Sequence, residues 1–409
     1  MFSRGISRTA AREARFGSVT KSLQEGHMYR VLQVTPELNA GGVERTTIEL
    51  AEAISRAGGL ALVASAGGRL EGDLKAAGGE LIRLPMHTKN PIEVALNARR
   101  LSHEAKLHRV NLIHARSRMP GWSAYWAARE LKLPFVTTYH GIYNARSAPK
   151  RWYNSVMAKG DIVIANSEFT RQHVIAEHKI DPARVVAIPR GVDLERFDRS
   201  RISVDEITTM RASWGMTADD KRLVLIAPAR LTRWKGQLVL IEALAQLQKR
   251  KPNALRVILA GDAQGRMTYV QDLNDAIERA SLRESVALVG HLGHINVAFA
   301  AADFAVFPVI EPEAFGRGAV EAQVMGLPVI ASKLGGYTET VVDGETGLLV
   351  AHNDASALAA AIERLIEAGA PARAAMGQKG KDRACLLYAK TALQSSTLKV
   401  YDRLLGERP

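Results

Sequence analysis

Residues 311–321 read Glu-Pro-Glu-Ala-Phe-Gly-Arg-Gly-Ala-Val-Glu, with the carboxylates Glu313 and Glu321 on either side of a Phe315-Gly316 turn. The apolar run 303–308 before them reads as a buried strand. Residues 320–325 after them have helical character and stop at Gly326-Leu-Pro328. Gly316 and Gly318 therefore stand at a helix entrance, where unpaired amides point outward and attract phosphate. A carboxylate accepts two hydrogen bonds and suits neighbouring hydroxyls. Phosphate together with diols suggests a nucleotide sugar. A second stretch, 228–237, carries Arg230 and Lys235 on another strand-to-helix loop. Two cations there can neutralise a departing diphosphate.

The elements that position these residues alternate. Strands are expected at 30–35, 60–65, 80–84, 110–114, 135–138 and 161–167, with helices running to about 57, over 92–108 and over 168–178. A polar linker is read over 198–221. A second alternating series follows, with strands at 222–227, 255–261, 286–290 and 303–308 and helices at 355–368 and about 390–405. Strand–helix alternation of this kind builds parallel sheets whose strands present ligand groups at their carboxyl ends. Gly41-Gly42 follows the first strand as a phosphate-binding entrance or a plain turn. His114, Arg116 and Ser117 follow the fourth strand as acceptor contacts. His140 lies just past the end of the fifth, and His291 just past the strand at 286–290. No Gly-x-Gly-x-x-Gly fingerprint and no Walker lysine motif is present.

A chain of 409 residues suggests two domains or three. A single cysteine, Cys385, excludes an intrachain disulfide framework and a cysteine-based zinc site. No apolar run approaches bilayer length and no secretory h-region is visible, so the expected product is cytoplasmic, soluble or peripheral on the inner face of the membrane. Residues 1–200 hold 30 of the 55 basic and 19 of the 42 acidic side chains. This half favours an anionic membrane surface or anionic acceptor. Nucleic acid is not expected, because zinc-finger spacing and RNP1-type aromatics are missing. The basic, aromatic stretch 144–160 reads as an interfacial patch or as a packed helix with a basic edge, and the basic helix 92–108 as a solvated or a membrane-facing face. Residues 1–27 read as a disordered extension upstream of a start at Met28, or as a transit peptide.

The flanks of the two carboxylates make the chain recognisable. Glu313 and Glu321 with seven residues between them, the Phe315-Gly316 setting, and Met325-Gly-Leu-Pro-Val-Ile-Ala-Ser332 resemble the retaining glycosyltransferases of family four. The resemblance covers about 29–405. It implies a GT-B architecture, an α/β fold of two Rossmann-like domains with parallel sheets facing across a cleft. The domains are expected at 28–200 for the acceptor and 201–385 for the donor, with 386–409 crossing back. It implies transfer from a nucleotide diphosphate sugar to a glycan or lipid-linked acceptor such as lipopolysaccharide core. No cofactor is expected, and no Asp-x-Asp metal motif appears. The implied catalytic set is His140, Arg230, Lys235 and Glu313. The implied donor contacts are Gly41, Gly42, Arg230, Lys235, His291, Phe315, Gly316, Arg317 and Glu321, with Glu313 on sugar hydroxyls and Glu321 on the ribose. Glu339 and Asp343 are read as capping and turn residues. Two positions depart from the family: Arg190 stands where Asn is usual, and Ala229 where Gly is. An epimerase or phosphorylase on the same architecture, or a non-catalytic sugar-nucleotide binder, are the competing readings.

Overall fold

The computed structural model describes residues 29–39, 41–143 and 147–406. The readings made for 1–27, for Met28 and for residues 144–146 lie outside these. Among the described residues thirteen strands form two parallel sheets. The first holds β1 (Arg30–Val34), β2 (Leu60–Ser65), β3 (Gly79–Arg83), β4 (Leu112–Ala115), β5 (Phe135–Tyr139), β6 (Ile162–Ala165) and β7 (Val185–Ala187), in the order β3-β2-β1-β4-β5-β6-β7. The second holds β8 (Leu223–Pro228), β9 (Leu255–Ala260), β10 (Val286–Gly290), β11 (Phe304–Phe307), β12 (Val329–Ser332) and β13 (Gly347–Val350), in the order β10-β9-β8-β11-β12-β13.

The strands read as unbroken apolar runs because helices cover both sheet faces. In β8, Val224 and Ile226 pack into one core while Leu225 and Ala227 pack into the other. β11 divides the same way, with Ala305 and Phe307 on one side and Phe304 and Val306 on the opposite one. Period-two alternation is hidden at the sequence level because each face is equally apolar.

Residues 198–221 correct the linker reading. They contain the helix Val204–Ser213, started by a capping box in which Ser203 and Glu206 satisfy each other's backbone amides. Trp214 and Met216 just after it are buried in the core of the second sheet. Arg211 reaches across to the carbonyl of Ala301 and to Asp303. The stretch looks polar because no residue of this helix is fully buried: only Ile207 and Met210 pack, half-buried, against the core and the rest is wet.

Packing divides the chain into two compact units. One runs up to Val136 and takes back the chain from Thr397; the other is Thr137–Ser396. In the first unit the helix Lys390–Gly406 contributes its last turns. Tyr401 Oη lies 2.6 Å from Nδ1 of the fully buried His114, and Tyr29 donates its hydroxyl to Asp402.

Burial holds the His114 pKa well below the ordinary 6.5, aided by the Arg116 charge. Burial lowers His173 and His178 as well. A histidine whose folded pKa is depressed takes its proton first in the unfolded chain. Its contribution is therefore intact above pH 6.5 and is lost as pH falls below that value. Denaturant titrations at pH 7.5, 6.5 and 5.5 should show stability falling on the acid side, by up to about 1.4 kcal/mol per pH unit for each proton fully withheld. His114→Gln should flatten that slope, and a pH-independent midpoint would contradict the arrangement.

Candidate functional site

Each sheet reverses its strand order once, between β1 and β4 in the first and between β8 and β11 in the second. Connections leave in opposite directions at such a point, which opens a crevice at the strands' carboxyl ends. Gly41-Gly42 follows β1; His114 lies within β4, and Arg116 and Ser117 follow it. Arg230 and Lys235 follow β8, while Glu313, Gly316, Arg317 and Glu321 follow β11. The sequence motifs therefore fall at the two places where parallel sheets bind ligands.

In the second sheet the loops after β8 and β11 are tied by their backbones. The Ile310 amide donates to the Trp234 carbonyl at 2.9 Å. Gly236 has φ +73°, and a Cβ there would lie 1.7 Å from the Pro308 carbonyl oxygen. Only glycine allows both the left-handed conformation and this approach. The approach brings Lys235 Nζ to 2.5 Å from Glu313 Oε2, with the ammonium 4.0 Å from the Trp234 ring centroid. An ammonium has three protons, so pairing with Glu313 leaves two for phosphate oxygens. Arg230 is exposed on the same loop. Its carbonyl accepts from Gln237 Nε2 at 3.0 Å, and Gln237 Oε1 in turn accepts from Tyr269 Oη at 3.0 Å, so the loop is braced from beneath.

Beyond Glu313 the chain enters the helix Arg317–Val324 through Gly316, whose φ of +85° places it flat against the Tyr337 ring. Arg317 Nε donates to Glu321 Oε1 at 2.8 Å. The Gly336 amide donates to the Glu313 carbonyl at 2.7 Å. Burial and the Glu313 charge raise the Tyr337 pKa well above the ordinary range, which keeps a neutral hydroxyl beside the carboxylate. His291 is exposed directly after β10.

Three expected contacts sit differently. Phe315 is 2% exposed and stacks edge-on to Tyr388 at 5.4 Å, so its side chain belongs to the core. His114 is turned inward onto Tyr401, and Arg116, also buried, donates to Thr46 Oγ1 at 2.7 Å. A strand's last residues alternate between inward and outward directions, and the sequence alone did not settle which of these side chains turns inward. His140 lies at the end of β5, half-buried, with Nδ1 3.4 Å from an Arg190 guanidinium nitrogen.

Sequence reasoning gave Glu339 a capping role but not its partner. Its carboxylate accepts from the Glu168 and Phe169 amides, 171 and 170 residues away. Asp343 Oδ1 accepts from the Leu349 amide, within its own turn. No group of three His, Cys, Asp or Glu residues suited to a metal ion occurs among the described residues, and no helix among them is long and apolar enough to cross a membrane.

Comparison with known proteins adds the following. Residues 211–383 match the family model "Glycosyl transferases group 1" and residues 40–196 match "Glycosyltransferase Family 4". The D-inositol 3-phosphate glycosyltransferase of Kineococcus radiotolerans is 29% identical over 324 residues, 73% of this chain and 72% of that one. A crystal structure of a glycosyltransferase from Rickettsia africae superposes with a TM-score of 0.86 at 31% identity, covering 94% of this chain and all of that one. Anabaena HepE, solved with UDP, superposes with a TM-score of 0.78 at 26% identity, covering 91% of this chain and 100% of that one; it has also been solved with UDP-glucose.

Gly236→Ala should lower stability by more than about 1 kcal/mol, since the left-handed conformation alone costs that much before the Pro308 carbonyl is displaced. A chemical-denaturation midpoint equal to that of the unsubstituted protein would refute the close approach.

Proposed function

The chain belongs to the group 1, family 4 glycosyltransferases with the GT-B architecture, and on that premise we propose that it moves a hexosyl group from a nucleoside diphosphate sugar to an acceptor hydroxyl with retention at the anomeric carbon. The observation that carries this reading is the gathering of Lys235, Glu313 and the Arg317–Val324 helix entrance at the β8/β11 reversal.

In the proposed reaction the bond from the sugar's anomeric carbon to the phosphate oxygen lengthens. The leaving diphosphate collects the electron pair and the sugar gains oxocarbenium character. Arg230, Lys235 and the helix amides stabilise the growing negative charge, the largest kind of contribution a preorganised site makes. The acceptor oxygen bonds to the anomeric carbon on the face the diphosphate leaves, and its proton passes to a departing phosphate oxygen. Glu313 orients the sugar hydroxyls and Glu321 the ribose, so neither serves as a covalent nucleophile. Side-chain cations meet the diphosphate charge, and the reading includes no resident metal. HepE's complexes with UDP and UDP-glucose make UDP-glucose the first donor to test.

For the acceptor we favour a cell-surface glycan or lipid-linked saccharide at an anionic membrane face. The helix Ala148–Ser155 supports this: it exposes Lys150 and Arg151 beside Trp152, which is 59% exposed. A phosphorylated polyol is the second reading, favoured by the name of the Kineococcus relative and by the basic first half of the chain.

Arg230→Ala and Lys235→Ala should each lower turnover about 10²–10³-fold, as loss of charge stabilisation at a leaving group does. Release of nucleoside diphosphate from donor is the measurement, and unchanged rates in both variants would reject the assignment. Replacing Lys150, Arg151 and Trp152 together by Ala should reduce co-sedimentation with phosphatidylglycerol vesicles but not with phosphatidylcholine vesicles. Equal recovery of parent and variant would remove the membrane reading.

A further inference from the structure

Two elements distant in sequence grip the donor turn from behind, and both meet at the N-terminus of the helix Glu168–His178. Everything described lies within the unit Thr137–Ser396. Ser167 caps that helix by accepting from the Thr170 amide at 2.9 Å. The same hydroxyl donates to the Ala314 carbonyl at 2.5 Å, and Thr170 Oγ1 donates to that carbonyl at 3.3 Å. Ser167 and Thr170 are both fully buried. Ala314 directly follows Glu313. From the other side, Glu339 Oε1 accepts from the Phe169 amide at 2.5 Å and Oε2 from the Glu168 amide at 2.9 Å. The Glu339 carbonyl is itself held by Arg383 at 2.8 Å and Tyr388 Oη at 3.2 Å. Three residues before Glu339, the Gly336 amide holds the Glu313 carbonyl. One residue before Ser167, Asn166 Nδ2 donates to the His140 carbonyl at 3.2 Å.

These bonds form a closed circuit, Ser167 to Ala314, Glu313 to Gly336, and Glu339 back to Phe169, to which His140 is joined through Asn166. Stability alone does not call for a carboxylate from 171 positions away, because a helix N-terminus is readily capped by its own Asn, Ser or Asp, as Ser167 already does. The additional bonds fix the relative placement of two backbone segments, the strand end carrying His140 and the turn carrying Glu313. We propose that Ser167 and Glu339 are positioning residues, which set Glu313 and His140 at the distance that the sugar half of the donor requires without touching the donor. The proposal rests on the reading of Glu313 and His140 as sugar-facing groups.

The circuit predicts a selective defect. The backbone carrying Arg230 and Lys235 is seated by the Gly236–Pro308 approach, the Ile310–Trp234 bond and Gln237, and Lys235 keeps two protons beyond the one it gives Glu313, so grip on the nucleoside diphosphate should survive loss of the circuit. Placement of the sugar should not. The test uses full-length Glu339→Gln and Ser167→Ala, with melting temperature as the check on folding. Gln keeps the shape of Glu but turns an NH2 group against one of the two amides it must satisfy. Two quantities are read: affinity for UDP, and kcat/KM for hydrolysis of UDP-glucose, in which water takes the acceptor's place and UDP and glucose are released. The expected result is UDP affinity within about threefold of the parent and hydrolysis reduced about 10- to 100-fold, the scale of a misplacement near 1 Å. Hydrolysis within twofold of the parent in both variants overturns the proposal. A parallel fall in UDP affinity and hydrolysis overturns it too, since that is what general loosening produces. Should Ser167→Ala fail to fold, Glu339→Gln decides, because Glu339 is only half-buried. The unsubstituted protein separates the two levels of inference. If it binds none of UDP, GDP and ADP, the donor-site reading falls and carries the positioning role with it. If it binds one of them and the variants are unaffected, the positioning role alone falls, with ADP-glucose or GDP-mannose replacing UDP-glucose according to the base bound.

Discussion

The contact between the loop after β8 and the loop after β11 is a backbone contact, and the site's electrostatics depend on it. Lys235 and Glu313 are 78 residues apart. Their side chains meet at 2.5 Å because Gly236 lets its loop lie against the Pro308 carbonyl and because the Ile310 amide bonds the Trp234 carbonyl. Both side chains are largely buried, 14% and 22% exposed. A pair so placed gives up hydration that mutual attraction only partly returns, so it is weak evidence of a stabilising device. Its sense is preorganisation. The desolvation has been met during folding, and the cation already stands where a diphosphate's charge develops under the proposed reaction.

Much of this was legible in the chain itself. Strands at 60–65 and 286–290 and the helix at 168–178 were expected with the bounds the structure shows, because parallel strands buried on both faces are short apolar runs with sharp polar ends. The Glu313–Glu321 stretch was recognisable because Gly316 and the flanking strand and helix leave few other ways to build it. What stayed hidden has one physical cause. The inward turn of His114 onto Tyr401 and the capping of Glu168 and Phe169 by Glu339 join residues 287 and about 170 positions apart. No local periodicity records such partners. The helix Val204–Ser213 was missed for a different reason: none of its own residues is fully buried, and its anchors, Trp214 and Met216, lie past its end.

The two core layers of the second sheet explain why loops, and not strands, carry the proposed chemistry. Residues of β8 and β11 are committed to one core or the other on both faces. The strand interiors therefore have no side chain to offer a ligand, and only residues just past the carboxyl ends remain free to face one. Phe315 marks the limit of this freedom. It sits inside the turn between Glu313 and Arg317, yet its ring is used to seat that turn against Tyr388, so the residues on either side hold their places.

Arg190 extends the argument to the chemistry proposed for His140. A guanidinium can donate but not accept, and one of its nitrogens lies 3.4 Å from His140 Nδ1. Where that nitrogen donates to the ring, Nδ1 accepts and the ring proton sits on Nε2. Histidine in that tautomer presents a hydrogen-bond donor at Nε2. It suits a group that holds a hydroxyl in place. The acceptor's proton then needs another destination, and in the proposed reaction the departing phosphate oxygen supplies it. The substitution of Arg for the family's usual Asn thus fits a division of labour in which the protein orients and the substrate carries its own base.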